Sequence, residues 1–332
     1  MPANPLPLTE PTAADFRAWH RVQSAALAHD RPGEPVPTQD DVRARLTEPV
    51  ADSRLVLWLV RGAGEEAVAT ATLRLFSQPA RSDVAEVEMT VHPAHRRMGA
   101  GSRLLFTVTE AARAAGCRSM VTEVMAGTSG EGFLATRDFR PVTRLTWLRL
   151  AMDEVPERIH KLPDVPHAGY RLAGWEGGAV PDGLAASFAR ARQDTAGPSA
   201  GGRDAADAPW AEARVREAAE AVARHGDHLL AVAAVCEVDG EVAGYTELVV
   251  PAARSGRARQ YDTAVLPAHR GHGLGLWLKA AMLRRVRAEH PLITEVLADT
   301  ADENRHMLAV NTALGYRPQR RTVRFRLELR RR

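Results

Sequence analysis

Long apolar runs are missing from this 332-residue chain: nothing approaches the ~20 consecutive apolar positions that a membrane-spanning helix requires. The opening stretch, "MPANPLPLTEPTAADF", has neither the basic segment nor the apolar core of a secretory signal. Cysteine is nearly absent too. Cys117 and Cys236 are the full complement, which excludes a disulfide framework and makes a reducing, cytoplasmic setting the expectation. Lysine is as scarce, with only Lys161 and Lys279 among 44 basic residues. The arginines that replace it are scattered, and the formal net charge is only +3. The one basic cluster, "RRTVRFRLELRRR" at the C-terminus, alternates apolar and charged residues as an edge strand does. No zinc finger, recognition helix or RNA-binding aromatic motif accompanies it, so neither nucleic acid nor a membrane is an expected partner, and no metal is expected. A hydrophobic fraction of 45% and a charged fraction of 26% are those of a soluble globular protein long enough for two domains.

A repeat organises the chain. Shifted by 174 positions, "VHPAHRRMGAGSRLL" (Val91 to Leu105) falls on "VLPAHRGHGLGLWLK" (Val265 to Lys279), with eight of fifteen residues identical. The same shift pairs Val68-Ala69 with Val242-Ala243. Further on, "TEVM" at Thr122 matches "TEVL" at Thr294, and "FRP" at Phe139 matches "YRP" at Tyr316, at offsets of 172 and 177. One domain duplicated explains this, whereas a solenoid needs several short repeats. The expected division is an N-terminal domain over 1–152, a linker over 153–167 interrupted by Pro156, Pro163 and Pro166, and a C-terminal domain over 168–332. A long loop, 192–210, lies inside the second half.

Each half predicts the same order of elements. In the second, a strand ("YRLAGW") precedes one or two helices and the hairpin "LLAVAAVCEVDGEVAGYTELVV", which turns at Asp239-Gly240. The strand "RQYDTAV" then runs into the glycine segment and an amphipathic helix stopped by Pro291, and a strand, a short helix and a last strand follow. The fold class is α+β, a mixed and mostly antiparallel sheet flanked by helices, present twice.

The glycine segment is built for an anion. A tight turn before a helix start exposes unpaired N–H groups at the positive end of the helix dipole. Gly271, Gly273 and Gly275 remove the Cβ atoms that would keep phosphate oxygens off the main chain, and Arg270 adds a cation with bidentate capacity. The first half keeps Arg96, Gly99 and Gly101 but has Arg97 where the second has Gly271. A P-loop is excluded because Gly-Lys-Ser/Thr is absent, and the spacing GxGxG is not the GxGxxG of a dinucleotide fingerprint.

The pattern V-x-P-x-x-R-x-x-G-x-G between a strand and a helix, present in both halves, resembles the signature of GNAT-type N-acetyltransferases. "ENRHMLAVNTALGYRP" (Glu303 to Pro318) is similar to that superfamily's later helix, and tandem members such as mycothiol synthase offer an architectural parallel. The resemblance implies acetyl-CoA as co-substrate, with the diphosphate on Arg270, Gly271, His272, Gly273, Gly275 and Leu276 and the pantetheine arm along Val265, Leu266 and Pro267. In the first half the matching positions are Val91, Arg96, Arg97, Gly99, Gly101 and Ser102. Asn304 and Asn311 stand seven residues apart, two helical turns, and so share a face that the resemblance places along the pantetheine arm. Asn304 following Asp302 and Glu303 also fits a helix cap. Met307 reads as core. The first half has "SGEGFLATRDFRP" at this point and lacks both asparagines, so the second half is the expected catalytic one.

Acetyl transfer to an amine must overcome the amine's own proton, since a group with pKa near 10 is about one part in 10³ neutral at pH 7, a cost of ~4 kcal/mol. Asp262 and Glu247 are the candidate bases, with a solvated sheet face as the alternative reading; their first-half equivalents are Glu86 and Glu88. Strand alternation predicts Gln260 and Asp262 on one face and Tyr261, Thr263 and Val265 on the other. Superfamily members often carry an acidic tyrosine seven residues after the first asparagine, where this chain has Asn311; an acid role then falls to water, Tyr316 or Tyr261, or is unnecessary. His95 and His269 read as structural. Trp210 and Asp194, with His20, Asp30 and Arg31 in the first half, occupy the region that closes over acceptors in the superfamily. The reading is therefore an N-acetyltransferase acting on a small-molecule primary amine, as a monomer or homodimer. The alternatives are acylation of a protein lysine or N-terminus, and a non-catalytic CoA-binding module.

Overall fold

The structure, a computed structural model, describes residues 5, 7–34, 36–47, 53–62, 64–78, 81–195, 210–224, 226–252 and 256–329. Most of the predicted 192–210 loop lies outside them. The first elements are β1 (Pro7–Leu8), α1 (Ala13–Asp30), α2 (Gln39–Thr47), β2 (Ser53–Arg61), β3 (Ala67–Phe76), β4 (Val84–Val91), α3 (Ala100–Ala114), β5 (Ser119–Met125), α4 (Ser129–Ala135) and β6 (Arg140–Ala151). A short helix α5 (Glu157–Lys161) leads to β7 (Tyr170–Glu176), α6 (Ala185–Thr195), α7 (Glu212–Ala223), β8 (His228–Cys236), β9 (Val242–Val250), β10 (Arg257–Val265), α8 (Leu274–Glu289), β11 (Glu295–Ala301), α9 (Arg305–Leu314) and β12 (Arg317–Glu328).

Packing gathers these elements into two compact units, residues 1–142 with 323–332, and residues 143–322. The sequence repeat and the packing therefore divide the chain differently. Most of β6, which the repeat assigns to the first half, belongs to the second unit, and the end of β12 belongs to the first. The first unit runs β1-β2-β3-β4-β5 and then the end of β12; the second runs from the start of β12 through β6-β11-β10-β9-β8-β7. Pairing is antiparallel along β1-β2-β3-β4, between β6 and β11, and along β10-β9-β8-β7, and parallel between β4 and β5 and between β10 and β11.

In the second unit β9 alternates between two cores. Ala243, Leu248 and Val250 join Leu274, Leu278 and Met282 of α8, while Val242 and Tyr245 join Phe188 of α6 and Val215 of α7 on the opposite face. In the first unit α3 packs through Leu104, Leu105 and Val108 on Leu73, Val87 and Met120, with Val323 and Phe325 from β12, and α1 and α2 pack on β2. The predicted mixed, mostly antiparallel sheet flanked by helices is what the chain forms. Both cysteines are buried and unpaired, and no described helix is long and apolar enough to cross a membrane.

Gly244 on β9 sits where the hairpin partner comes closest: a Cβ there would lie 2.9 Å from the Ala264 carbonyl oxygen and 3.2 Å from Val265 Cα, both backbone atoms. Gly244→Ala is expected to destabilise the protein by about 1–3 kcal/mol in denaturant unfolding, because no side-chain rotation relieves the contact. Gly183→Ala, which meets nothing within 4 Å, should stay near neutral. Equal effects of the two would overturn this account.

Candidate active site

The site of interest begins where two parallel strands part. β10 pairs with β11 only over Arg257–Arg259 against Glu295–Leu297, although β10 continues to Val265 and β11 to Ala301. On its other side β10 stays paired with β9 up to Val265. The far half of β10 thus presents an unpaired backbone edge to a wedge-shaped opening, and an unpaired edge is a template for another extended chain. The β4–β5 pair parts in the same way after Glu86 and Val121.

The anion cradle closes the end of this opening. Val265 ends β10, Leu266 donates to the Ala243 carbonyl at 2.9 Å, and Pro267–His269 form a single tight turn. Arg270, an exposed side chain, donates from Nε to the Val265 carbonyl at 3.2 Å. Gly271 (φ +84°) and Gly273 (φ +75°) are left-handed, the second as the N-cap of α8 with no side-chain cap. Backbone bonding of the helix starts with Leu276 and Trp277, both donating to the Gly273 carbonyl at 3.2 Å, so the amides before them remain available for an anion. A Cβ on Gly271 would meet nothing within 4 Å, and one on Gly275 only Val265 at 3.9 Å. Three histidines stand around the cradle. His167 stacks on Trp277 at 4.3 Å, Tyr170 Oη is 3.0 Å from His269 Nδ1, and His272 Nδ1 is 3.3 Å from the His269 carbonyl.

The first cradle copies this backbone and differs in its side chains. Arg97 (φ +65°) and Gly99 (φ +85°) reproduce the two left-handed positions, and Arg96 Nε again donates to a strand-end carbonyl, that of Val91, at 3.2 Å. Both outer nitrogens of Arg96, however, donate to Asp30 at the end of α1, each at 2.7 Å. Such a bidentate pair is among the stronger charge-assisted contacts. Phe133 of α4 lies 3.4 Å from where a Gly101 Cβ would stand, and Arg137 stacks on Phe133 at 3.8 Å while donating to Ser102 Oγ at 2.8 Å. The first cradle is lined by its own chain where the second is open.

Proton chemistry gathers on the face of β9 and β10 that α6 covers. A bulge at Tyr261 shifts the register, so Gln260 stands opposite Leu248 and Asp262 opposite Glu247. This corrects the alternation expected from sequence. Gln260 turns to the α8 side, where it donates to Thr246 Oγ1 at 2.9 Å, and Asp262 joins Glu247 on the other face. An extra residue in one strand inverts the faces beyond it. Asp262 is half-buried and accepts from Tyr245 Oη at 2.6 Å and from the Thr263 amide at 2.8 Å. Glu247 is buried, and its Oε1 accepts from Arg192 of α6 at 2.8 Å while its Oε2 has no hydrogen-bond partner. Burial pushes the Glu247 carboxyl up to about 7, against the pull of the guanidinium. Burial likewise holds the Tyr245 hydroxyl protonated, well above its ordinary range, with Asp262 adding to the effect. Trp210 covers Arg192, with the guanidinium carbon 3.9 Å from the ring centre.

Removing the cation strands a buried carboxylate. Arg192→Met is expected to cost about 3 kcal/mol at pH 8. Glu247 ionises higher in the fold than in the unfolded chain, so the stability associated with its protonated form is complete at low pH and is lost as pH rises through about 7. The variant should therefore be far closer to wild type at pH 5 than at pH 8 in urea unfolding; an equal deficit at both would contradict the assignment.

The other expected residues fall outside this face. Asn304 is the N-cap of α9, its Oδ1 accepting from the Met307 amide at 3.1 Å, which is the cap arrangement its neighbours suggested. Asn311 is buried, with Nδ2 donating to Thr300 Oγ1 at 3.1 Å and Oδ1 unpartnered. Tyr316 is a core residue packed with α8, its hydroxyl buried without a partner, and burial keeps it protonated far above its usual range. In the first unit Glu86 pairs with Arg81 at 2.8 Å and Glu88 with Arg45 at 3.4 Å. His20 bonds the Pro37 carbonyl and Ser24, Arg31 pairs with Glu34, His95 meets His92 edge-on, and Asp194 is exposed. Sequence reading missed Arg192, Tyr245 and the Arg96–Asp30 pair, whose partners lie far along the chain and carry no local pattern. Among the described residues no group of three or more His, Cys, Asp or Glu is placed to hold a metal ion.

The family model of the acetyltransferase (GNAT) family matches residues 18–130 and again 199–316, so the chain belongs to the GNAT family and carries its domain twice. Among solved structures, it is similar to a tandem GNAT protein from the clavulanic acid biosynthesis pathway, at 26% identity and a TM-score of 0.72, with 99% of each chain covered. A GCN5-related N-acetyltransferase from Sphaerobacter thermophilus shares the fold at 20% identity and a TM-score of 0.71, covering 100% of this chain and 98% of that one. No match was found among curated proteins.

Proposed function

We propose that the protein is an acetyl-CoA-dependent N-acetyltransferase that acts on the primary amine of a small molecule, with the working site in the second unit. The observation that carries this reading is the pairing of an open strand wedge with an uncapped, glycine-lined helix start in that unit. Acetyl-CoA supplies an acetyl group activated as a thioester. The Gly271, His272, Gly273 and Gly275 amides and Arg270 hold the diphosphate, and the free edge of β10 up to Val265, with Leu266 and Pro267 beyond it, guides the pantetheine arm. Leu276 packs below the cradle.

The amine nitrogen attacks the carbonyl carbon, the C–S bond breaks, and the amine's proton passes to a carboxylate. Glu247 fits that role, because its Oε2 is uncommitted and a base titrating near neutrality is matched to the working pH. Both oxygens of Asp262 are already engaged, so it acts to orient the amine. A thiol with pKa near 8.5, by analogy with cysteine, leaves as thiolate without a protein acid. Asn311 and Tyr316, both buried in the core of the unit, then take no part in proton transfer. The first-half set Val91, Arg96, Arg97, Gly99, Gly101 and Ser102 is a vestigial copy.

The test is thiol release from acetyl-CoA across a panel of small amines, with calorimetry of acetyl-CoA binding. One acetyl-CoA per chain is expected, and kcat/KM should rise with pH through about 7 in the wild type and lose that limb in Glu247→Gln, with a rate about 10²-fold lower. Absence of acetyl-CoA binding would overturn the proposal, and an unchanged pH profile in Glu247→Gln would overturn the base.

A further inference from the structure

The seam between α8 and α9 in the second unit carries three buried polar side chains, Lys279, Asn311 and Tyr316. Lys279 is 1% exposed, and the contact its Nζ makes is with the face of the Tyr316 ring, 5.0 Å from its centre. Burial alone lowers its basicity, to about 7, with no contribution from a described carboxylate. The Tyr316 hydroxyl is buried without a partner. So is Asn311 Oδ1, although Asn311 Nδ2 donates to Thr300 Oγ1 at 3.1 Å. The Tyr316 amide donates to the Asn311 carbonyl at 3.0 Å, which ties the start of β12 to the end of α9.

This seam lies over the wedge between β10 and β11. Pairing of the two strands ends at Arg259 and Leu297, and Thr300 stands three residues farther along β11. Val296 and Ala298 belong to the core beneath α8, so strand alternation puts Thr300 on the same side, together with the Asn311 bonded to it. At the other wall, a Cβ built on Gly275 would lie 3.9 Å from Val265 at the end of β10. Lys279 follows Gly275 by about one helical turn and so shares its face of α8. The helix connects two parallel strands and therefore runs back over them. Lys279 is six residues past Gly273, about 9 Å along the axis from the cradle, which is level with the unpaired stretch of β10.

The twin domain separates packing from use. At the matching positions the first unit has Leu105, Leu134 and Phe139, all buried in its apolar core. That is the unit whose cradle arginine, Arg96, is held by Asp30. The apolar seam accompanies the engaged cradle, and the polar seam accompanies the open one. A buried polar group without a partner is costly, and the cost is removed when a ligand brings the partner. We infer that Lys279 is a cofactor-binding residue: its amine and the Tyr316 hydroxyl donate to amide carbonyls of the pantetheine arm, and Asn311 Oδ1 accepts from an amide N–H of the same arm. The inference rests on the reading of this wedge as the acetyl-CoA site. Its chemistry is matched, because the arm carries two secondary amides in an otherwise aliphatic chain. An all-apolar seam would strip those amides of water and return nothing.

Calorimetry of the full chain with two ligands tests this. One is acetyl-CoA; the other is adenosine 3′-phosphate 5′-diphosphate, which keeps the diphosphate and lacks the arm. Lys279→Leu should raise the acetyl-CoA Kd about tenfold, as a buried carbonyl loses its donor, and leave the Kd of the nucleotide unchanged. It should do so while resisting urea better than wild type at pH 6.5, so that weaker binding does not reflect a damaged fold. Tyr316→Phe, which keeps the ring and installs the residue of the twin, should raise the acetyl-CoA Kd about threefold or more, again without effect on the nucleotide. Unchanged acetyl-CoA affinity in either variant would overturn the inference and leave the transferase reading intact. Equal losses for the two ligands would overturn it as well, since the side chains would then act through the cradle. Failure of the wild type to bind acetyl-CoA would remove both readings at once.

Discussion

Gly273→Trp is expected to abolish acetyl transfer, with acetyl-CoA affinity reduced about 10³-fold, equivalent to about 4 kcal/mol. Gly273 is the left-handed N-cap of α8 (φ +75°), and a Cβ there already stands 3.6 Å from His167 Nε2. An indole at that position fills the space in front of the helix-start amides and removes the room an oxyanion needs. The substitution also strains the backbone, because a side chain in the left-handed region costs roughly 1–2 kcal/mol. Gly99→Trp separates the two effects. It sits at φ +85° in the twin turn with nothing within 4 Å of its Cβ, so it carries comparable strain. If the first cradle is vestigial, Gly99→Trp loses similar stability in thermal unfolding and keeps both acetyl-CoA binding and turnover. Loss of turnover in Gly99→Trp with binding retained in the second unit would reverse the assignment of the working half.

Lys279→Leu is expected to stabilise the protein by about 5 kcal/mol near pH 7 and below. Lys279 is 1% exposed on the core side of α8, and burial alone pulls its ammonium from 10.5 down to about 7. Its Nζ lies 5.0 Å from the centre of the Tyr316 ring, a cation–π contact that offsets only part of the lost hydration. The repeat shows the apolar solution at the same place, since Leu105 occupies the matching position of α3 and Phe139 matches Tyr316. Between pH 7 and 10.5 the unfolded chain holds a proton on this lysine that the folded chain has lost, so wild-type stability rises with pH across that window. The variant should lack the rise. The comparison is clean below about pH 9.5, before the tyrosines begin to ionise in the unfolded chain. Urea unfolding of both proteins at pH 6.5 and 9.5 checks the point, and a variant no more stable than wild type at pH 6.5 would refute it.

Polar groups placed in this core are specific to the second unit. Asn311, Tyr316 and Lys279 stand where the first half has Leu134, Phe139 and Leu105, and two of them leave a polar atom buried without a partner. Cores rarely keep such groups without a use. Asn304 and its helix were legible because capping is local, a side chain and an amide three residues away. The hairpin at Asp239-Gly240 and the helix stop at Pro291 were legible for the same reason. The bulge at Tyr261 was not: period-two alternation carries no mark of an inserted residue, and only the pairing with β9 reveals which way Asp262 faces.

The sequence by itself determined the duplication, the order of strands and helices, and the two glycine turns. These follow from backbone requirements that act within a few residues: a left-handed dihedral needs glycine, a helix start needs a cap, and a half-buried strand needs alternation. Tertiary structure alone decided which arginine is engaged and which carboxylate is tuned. Asp30 takes Arg96 across 66 positions and Arg192 takes Glu247 across 55, contacts set by how helices pack on strands. Packing also decided that the end of β12 joins the first unit and most of β6 the second, because a strand goes where its apolar face is buried, whichever copy of the repeat encodes it.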